Sequence, residues 1–318
     1  MSKRRMDARH LRLLSPASLA KIQRLELLAR GVVQGFVPGK HRSPYKGFSV
    51  EFAEHRQYVP GDDIADLDWR VLARSDRYYV KEYVEETNLR ATILIDASGS
   101  MAYTGKAAAA YDANGGAPQK LSKFQYAQYL AACLAHLLIR QADAVGLVTF
   151  DTKIRRYVPA RARASHLRVI LEELADTEPG GETALAPIFH DIAERVHRRG
   201  LIIILSDLFD DVEPLLHSLH HFRYRKHEVI VLNVMAEEEM SFPFARFTEF
   251  RDLEVHGHVL QIDPRSLRAA YLQRVREHIR RLELGCGQMR TDYAGLITSH
   301  PFDETLAAYL ARRRAYGA

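Results

Sequence analysis

The sequence predicts an α/β protein, a doubly wound and mostly parallel sheet preceded by an N-terminal β-rich block. Three observations lead there. From Leu89 onward, apolar runs at 90–95, 144–150, 201–206 and 228–234 alternate with stretches of helical periodicity, as parallel βαβ units require. These runs are continuous rather than alternating, which fits strands covered on both faces. Two of them end directly in carboxylate- and hydroxyl-bearing residues, and the carboxyl ends of strands are where open α/β sheets bind ligands.

Taken in order, Leu19, Ile22, Leu25 and Leu28 give 16–30 a helical repeat, and the Gly-, Pro- and base-containing stretch 31–46 reads as an exposed loop. Strand character follows at 48–58 and 78–85, with Tyr58-Val59-Pro60-Gly61-Asp62 as a turn. In the helix expected over 121–140, Leu121, Phe124, Ala127, Leu130, Leu134 and Leu137 form a core-facing stripe. Before it, 102–119 carries four consecutive alanines, Asn114-Gly115-Gly116 and Pro118, the composition of a surface insertion. An edge strand is expected over 153–158. Ser165 should cap the next helix, which buries Leu167, Ile170, Leu171 and Leu174 and leaves His166 solvated in its first turn. A second insertion covers 236–262, with a loop at 237–244 and strand pairing over 248–262 that turns near Gly257. Asp263 should cap a helix beginning at Pro264 and ending at Gly285. A last helix is expected over 303–314. The expected division is 1–88 for the N-terminal helix and β-rich block and 89–318 for the α/β domain.

Composition narrows the function classes. At 318 residues and 47% apolar, the chain can bury a sizeable core. No apolar run approaches the ~18 residues that cross a bilayer. Residues 1–14 are basic, but their apolar part, Leu11 to Leu14, is too short for a signal-peptide core. Cys133 and Cys286 lie far apart and in no ligand spacing, so free thiols in a reducing, cytoplasmic compartment are expected. The 45 basic residues against 40 acidic ones leave a net charge of +5, dispersed in small groups that read as solvated helix faces and not as a nucleic-acid footprint.

The densest chemistry follows the first buried strand, in Ile93-Leu94-Ile95-Asp96-Ala97-Ser98-Gly99-Ser100-Met101. One carboxylate and two hydroxyls on alternate positions make a compact set of hard oxygen donors, suited to Mg²⁺ or Mn²⁺. Gly99 is expected to allow the turn. Two later elements complete a pattern: Gly180-Gly181-Glu182-Thr183 ahead of a helix starting near Ala184, and a second apolar strand ending in Ser206-Asp207. Together they resemble the metal-ion-dependent adhesion site (MIDAS) of a von Willebrand factor A domain. That resemblance implies that Asp96, Ser98, Ser100, Thr183 and Asp207 surround the ion, the serines directly and the carboxylates partly through water. Glu182 stands where the family often has Gly-Gly-Thr unbroken.

A wider resemblance covers roughly Gly39 to Arg314. The block from Glu51 to Asp63, then Asp68-Trp69-Arg70 and Val80-Lys81-Glu82-Tyr83, is similar to the domain-of-unknown-function 58 (DUF58) family, in which it precedes a von Willebrand A-like domain. Ser206-Asp207-Leu208-Phe209-Asp210 and the ending from Pro301 fit as well. The resemblance implies partnership with a MoxR-type AAA+ ATPase in chaperone-like assembly or maturation of clients. The function expected is therefore a non-enzymatic, Mg²⁺-dependent protein–protein interaction module, in which an acidic residue of the partner completes the ion's shell.

Rival readings come from other residues. A haloacid-dehalogenase-like, Mg²⁺-dependent phosphatase also places an Asp after an apolar strand, and Asp207 with Asp210-Asp211 imitates its later acidic pair. Its general acid would fall on Ser98, however, and that step is normally worth ~10²–10⁴ in rate. A scaffold with a vestigial metal site is the third reading. Asp62, Asp63, Asp66 and Asp68 read as turn caps pairing with Arg70 or Arg74, and Trp69 as an anchor of the N-terminal block on the sheet. His217, His220 and His221 share a helix face but lack the acidic residue of a zincin. Neither a Gly-x-Ser-x-Gly elbow nor a Walker loop occurs, which argues against a serine hydrolase and against ATP hydrolysis.

Overall fold

The computed structural model describes residues 50–59, 67–75, 77–85, 89–106, 110–111, 119–255 and 257–316. They divide between two compact units, one ending at 85 and the other beginning at 89. The helix expected over 16–30, the loop over 31–46, most of the turn after Tyr58 and most of the 102–119 insertion lie outside the described residues.

In the smaller unit, β1 (Val50–Gln57) pairs antiparallel with β2 (Tyr79–Glu85), with a bulge between Phe52 and Glu54. Helix α1 (Trp69–Ser75) lies between them in sequence. Asp68 caps it, its Oδ1 accepting the Val71 N–H at 3.2 Å, so this carboxylate serves a helix end as expected. Asp62, Asp63 and Asp66 are outside the described residues. Trp69 is 59% exposed. It is the first residue of α1, and among the described residues of this unit Leu67 and Val80 are buried apolar side chains.

The larger unit is built on a six-stranded sheet. Its strands are β3 (Arg90–Asp96), β6 (Ala144–Phe150), β7 (Ile154–Arg161), β8 (Leu201–Ser206), β9 (Glu228–Met235) and β12 (Asp292–Ile297), in the order β12-β9-β8-β3-β6-β7. All neighbours pair in parallel except β7, an antiparallel edge strand beside β6. Successive side chains of a strand point to opposite faces. Ile93 and Ile95 therefore pack with α2 (Lys123–Arg140), α3 (Ala164–Asp176) and α8 (Phe302–Tyr316), while Leu94 packs with α4 (Leu185–Arg195), α5 (Val212–Tyr224) and α7 (Pro264–Gln288). Covering both faces is what made the strands legible as unbroken apolar runs. A two-residue pair, β4 (Ala110–Tyr111) and β5 (Gln119–Lys120), precedes α2. Cys133 and Cys286 are buried free thiols. Among the described residues, no helix is long and apolar enough to cross a membrane.

Several local expectations are corrected. The loop expected over 237–244 holds a short helix, α6 (Glu237–Ser241), because Glu239 accepts the Ala236 N–H at 2.7 Å and three glutamates favour a helix's first turn. Ser165 does not cap α3, which begins at Ala164 after Arg163. His166 is buried against the backbone of Val145 and Pro159, and burial holds its pKa below the ordinary histidine value. Helix α7 runs through Gly285 to Gln288. Gly285 serves packing rather than termination, since a β-carbon there would overlap the Leu216 side chain on α5. β12 was not anticipated. The expected strand pair is found as β10 (Thr248–Arg251) and β11 (Val259–Ile262), with Gly257 at φ +90° between them.

Phe189 of α4 lies fully buried between Phe150, at 5.6 Å, and Phe222, at 6.1 Å. Phe189→Ala should cost about 3–5 kcal/mol of stability through lost transfer energy and the cavity left behind, read as a shift in urea midpoint at unchanged m-value.

Candidate metal centre

Counted in chain order, the parallel strands lie 2-1-3-4-5 across the sheet: from β3 the chain steps to β6 on one side, then from β8 through β9 to β12 on the other. Between β3 and β8 the direction of winding reverses, and their carboxyl ends form the switch point at which such sheets bind ligands. Ile95 aligns with Leu205, which sets Asp96 beside Ser206.

Asp96 is fully buried and held from both sides. Its Oδ1 accepts the Ser98 N–H at 2.9 Å and its Oδ2 accepts the Ser206 hydroxyl at 2.6 Å. The Ser206 oxygen in turn accepts the Leu208 N–H at 3.0 Å. Ser98 and Ser100 bring their hydroxyl oxygens to 3.1 Å of each other. Two adjacent ligands of an octahedral Mg²⁺ at about 2.0–2.1 Å would stand about 2.9 Å apart, so this pair already has the spacing of neighbouring ligands.

The glycine-rich loop is laced to this one. Gly99 donates its N–H to the Gly181 carbonyl at 2.8 Å, and Gly180 donates to the Ala97 carbonyl at 2.9 Å. Arg155 braces the same loop from β7, bonding the Gly180 and Glu178 carbonyls and Asp151. Gly181 adopts φ +88°, where a side chain is disfavoured. Gly99 corrects the sequence reading: at φ −63°, ψ −37° its backbone suits any residue. A β-carbon there would overlap the Leu253 carbonyl, so glycine is needed for that close approach. Glu182 is exposed and Thr183 is half-buried. The Thr183 hydroxyl donates to Glu254 Oε1 at 2.7 Å, and its N–H donates to Oε2 at 3.1 Å.

Asp207, also buried, is matched to a cation of the chain itself. Lys123 Nζ lies 2.7 Å from Asp207 Oδ2 and 2.6 Å from Glu239 Oε1, and 5.1 Å from the Phe209 ring centre. Burial opposes the charge on Lys123, but the two carboxylates outweigh it and raise its pKa above the usual lysine value. Among the described residues, Asp96 has no such partner. Burial first, and then the charge of Asp207, push its carboxyl up to about 7, against which the Ser206 and Ser98 bonds act. Lys123 is the first residue of α2, whose end is fixed by a reciprocal Ser122–Gln125 capping box and by the Lys123 N–H bonded to the Tyr103 carbonyl at 3.0 Å.

Asp96 thus ends β3, Ser98, Ser100 and Asp207 follow strand ends at the carboxyl edge of the sheet, and Thr183 lies just ahead of α4. Ser98 and Ser100 are adjacent, and Asp96 and Asp207 interact electrostatically, while the Thr183 hydroxyl is engaged by Glu254. A buried carboxylate without a countercharge beside paired hydroxyls suits a small divalent cation, so the donor set fits Mg²⁺ or Mn²⁺. Lys123, Ser206, Glu239 and Glu254 were missed. Ser206 ends an apolar run and Lys123 follows a capping serine, but nothing local marks either as facing Asp96 or Asp207. His190, His217 and His221 stack edge to face, at 4.7 and 5.2 Å between rings, and among the described residues no group of three His, Cys, Asp or Glu side chains is arranged to hold a metal.

Fold and site thus define an α/β protein with a buried cluster of oxygen donors at the switch point of a mostly parallel sheet. The chain belongs to the DUF58 family, described as proteins of unknown function, whose model matches residues 54–281. The uncharacterized protein Rv1480 of Mycobacterium tuberculosis and the uncharacterized protein Mb1516 of Mycobacterium bovis are each 26% identical over 289 residues, covering 87% of this chain and 86% of their own length. Among solved structures, the conserved hypothetical protein BatB from Bacteroides thetaiotaomicron is 16% identical at a TM-score of 0.43, over 71% of this chain and 99% of its own. An aerotolerance-related membrane protein from Bacteroides fragilis has the same identity and TM-score over 72% of this chain and 99% of its own.

Two predictions follow from the buried charges. Lys123→Met leaves Asp207 and Glu239 without their cation and should cost about 3–5 kcal/mol in EDTA, with a smaller loss in Mg²⁺, as measured by urea unfolding. Because the folded-state pKa of Asp96 is raised, the metal-free protein should lose stability as pH climbs from about 4 to about 7. Asp143 is pushed by burial in the same direction, also to about 7, so Asp96→Asn should remove part of the slope and leave the share owed to Asp143.

Proposed function

We propose that the larger unit is a von Willebrand A-like, non-enzymatic interaction module that binds an acidic residue of a partner protein through Mg²⁺ or Mn²⁺. The observation that carries this reading is the pairing of donors at the switch point: Asp96, Ser98 and Ser100 converge, while Asp207 shares its charge with Lys123. A bound divalent cation facing one unpaired carboxylate and neutral hydroxyls keeps positive charge for an incoming anion. Here Asp96 and the serines would bind directly, Thr183 would close the side toward α4, and Asp207 would act at longer range.

By family resemblance the partner is a MoxR-type AAA+ ATPase or its client, and the role is chaperone-like assembly or maturation. The two buried free thiols support a reducing, cytoplasmic setting. Ser98 in place of a general acid weighs against the phosphatase reading, which demands turnover of an aryl phosphate abolished by Asp96→Asn.

The test is thermal unfolding of the wild type and Asp96→Ala in EDTA, Mg²⁺ and Mn²⁺, joined to recovery of the ATPase on the immobilised protein. Metal at ~100 times its dissociation constant should add about 2.7 kcal/mol to the wild type and little to the variant. ATPase recovered in Mg²⁺ and lost in EDTA supports the module. Equal recovery in both buffers removes the metal bridge, and a wild type indifferent to metal leaves a scaffold with a vestigial site.

A further inference from the structure

The β10–β11 hairpin reaches the metal loop. Aromatic packing fixes its base: Phe250 stacks on Phe242 at 5.8 Å with an 8° interplanar angle, Phe244 packs edge-on at 5.1 Å, and Phe242 meets Tyr271 of α7 at 4.5 Å. Asp252 shapes the tip, its Oδ1 accepting the N–H groups of Glu254 at 2.8 Å and Val255 at 3.1 Å. The Leu253 carbonyl lies so close to Gly99 that no β-carbon fits between them. Both oxygens of Glu254 engage Thr183, one at the hydroxyl and one at the N–H. Flanking this carboxylate, Leu253 and Val255 are 41% and 39% exposed, and Leu260 on β11 is 58% exposed.

We infer that Glu254 is a built-in ligand of the metal centre and that the hairpin is a latch. This rests on the metal-dependent reading above. The Glu254 carboxylate holds the position at which a partner's Asp or Glu would arrive, so a partner binds only by displacing it. A tethered carboxylate competes at an effective concentration on the order of millimolar, enough to keep out free acidic side chains of weak affinity. A partner must therefore also grip the hairpin, and the exposed Leu253, Val255 and Leu260 offer it an apolar hold. Specificity would then lie in an acidic residue set beside an apolar surface, not in the carboxylate alone.

The experiment uses Mn²⁺ alone as probe on the full chain, comparing wild type, Glu254→Gln and Gly99→Ala. Water-proton relaxation reads metal binding and metal-bound water, and hydrogen exchange reads the amides of 252–255. In the wild type, saturating Mn²⁺ should slow exchange at Glu254 and Val255 about tenfold. Glu254→Gln should still bind Mn²⁺, about tenfold more weakly, as when a ligand's support is lost. It should also gain relaxivity from an added water and show no slowing of exchange. Gly99→Ala, which keeps the carboxylate but forces the hairpin away, should gain relaxivity likewise. If wild type and Glu254→Gln bind Mn²⁺ with equal relaxivity and equal exchange, Glu254 is only a hydrogen-bond partner of Thr183 and the latch is overturned while the metal centre stands. If the wild type gives no saturable Mn²⁺ relaxation signal, the metal centre itself is overturned and the latch with it.

Discussion

The buried ammonium of Lys123 is the contact on which the site depends. It lies 1% exposed between Asp207 and Glu239, so it pins the start of α2, the loop after β8 and the helix α6 to one point. A lysine at the first position of a helix works against the helix dipole. Only the two carboxylates make that position favourable, which ties the placement of α2 to the charge state of the site. Because the cation belongs to the chain, Asp207 is held in place by a partner within the fold. The buried pair is thus better understood as a means of fixing geometry than as a source of net stability, since desolvation offsets much of the attraction.

Topology explains why so many separate segments meet there. Every link from a parallel strand to its following helix leaves the sheet at the carboxyl edge, so insertions into such links are delivered beside the switch point. The segment after β3 returns through Tyr103 to the first residue of α2. The segment after β9 forms α6 and the hairpin, supplying Glu239 to Lys123 and Glu254 to Thr183. Asn233, in register with Ser206, donates to the Asp207 carbonyl at 2.9 Å and keeps the end of β8 from fraying. Elaborating the fold here changes the site without disturbing the sheet.

What the sequence disclosed follows the same division. Strands covered on both faces announce themselves, and Ile93-Leu94-Ile95 and Leu201 to Leu205 carried Asp96 and Asp207 with them, because strand ends locate whatever follows. β12 escaped notice because it is an edge strand, half-buried in part, with Gly295 in its middle. Gly285 and Gly99 were read from their backbone freedom, the common reason for glycine, whereas here each is required by a neighbour distant in sequence. Lys123 and Glu254 were illegible for that reason too. A lysine after a capping serine and a glutamate in a hairpin tip are ordinary on any surface, and only the fold brings them to Asp207 and Thr183.

Charge links these residues into one argument. Without Lys123, the ion would face both Asp96 and Asp207 at full charge and hold little attraction for a further anion. With Asp207 paired to Lys123, an ion bound as proposed would keep charge for a further carboxylate, and Glu254 already stands against Thr183. On the proposed metal-dependent reading, the same lysine would make the site avid for acidic side chains, and such a site without a partner would capture surface carboxylates indiscriminately. In the inferred latch, Glu254 would meet that hazard from within, on a hairpin whose close approach Gly99 permits. Lys123, Gly99 and Glu254 would then form a single device: the cation sets the charge of the site, the glycine admits the hairpin, and the glutamate would reserve the site for a partner able to move it.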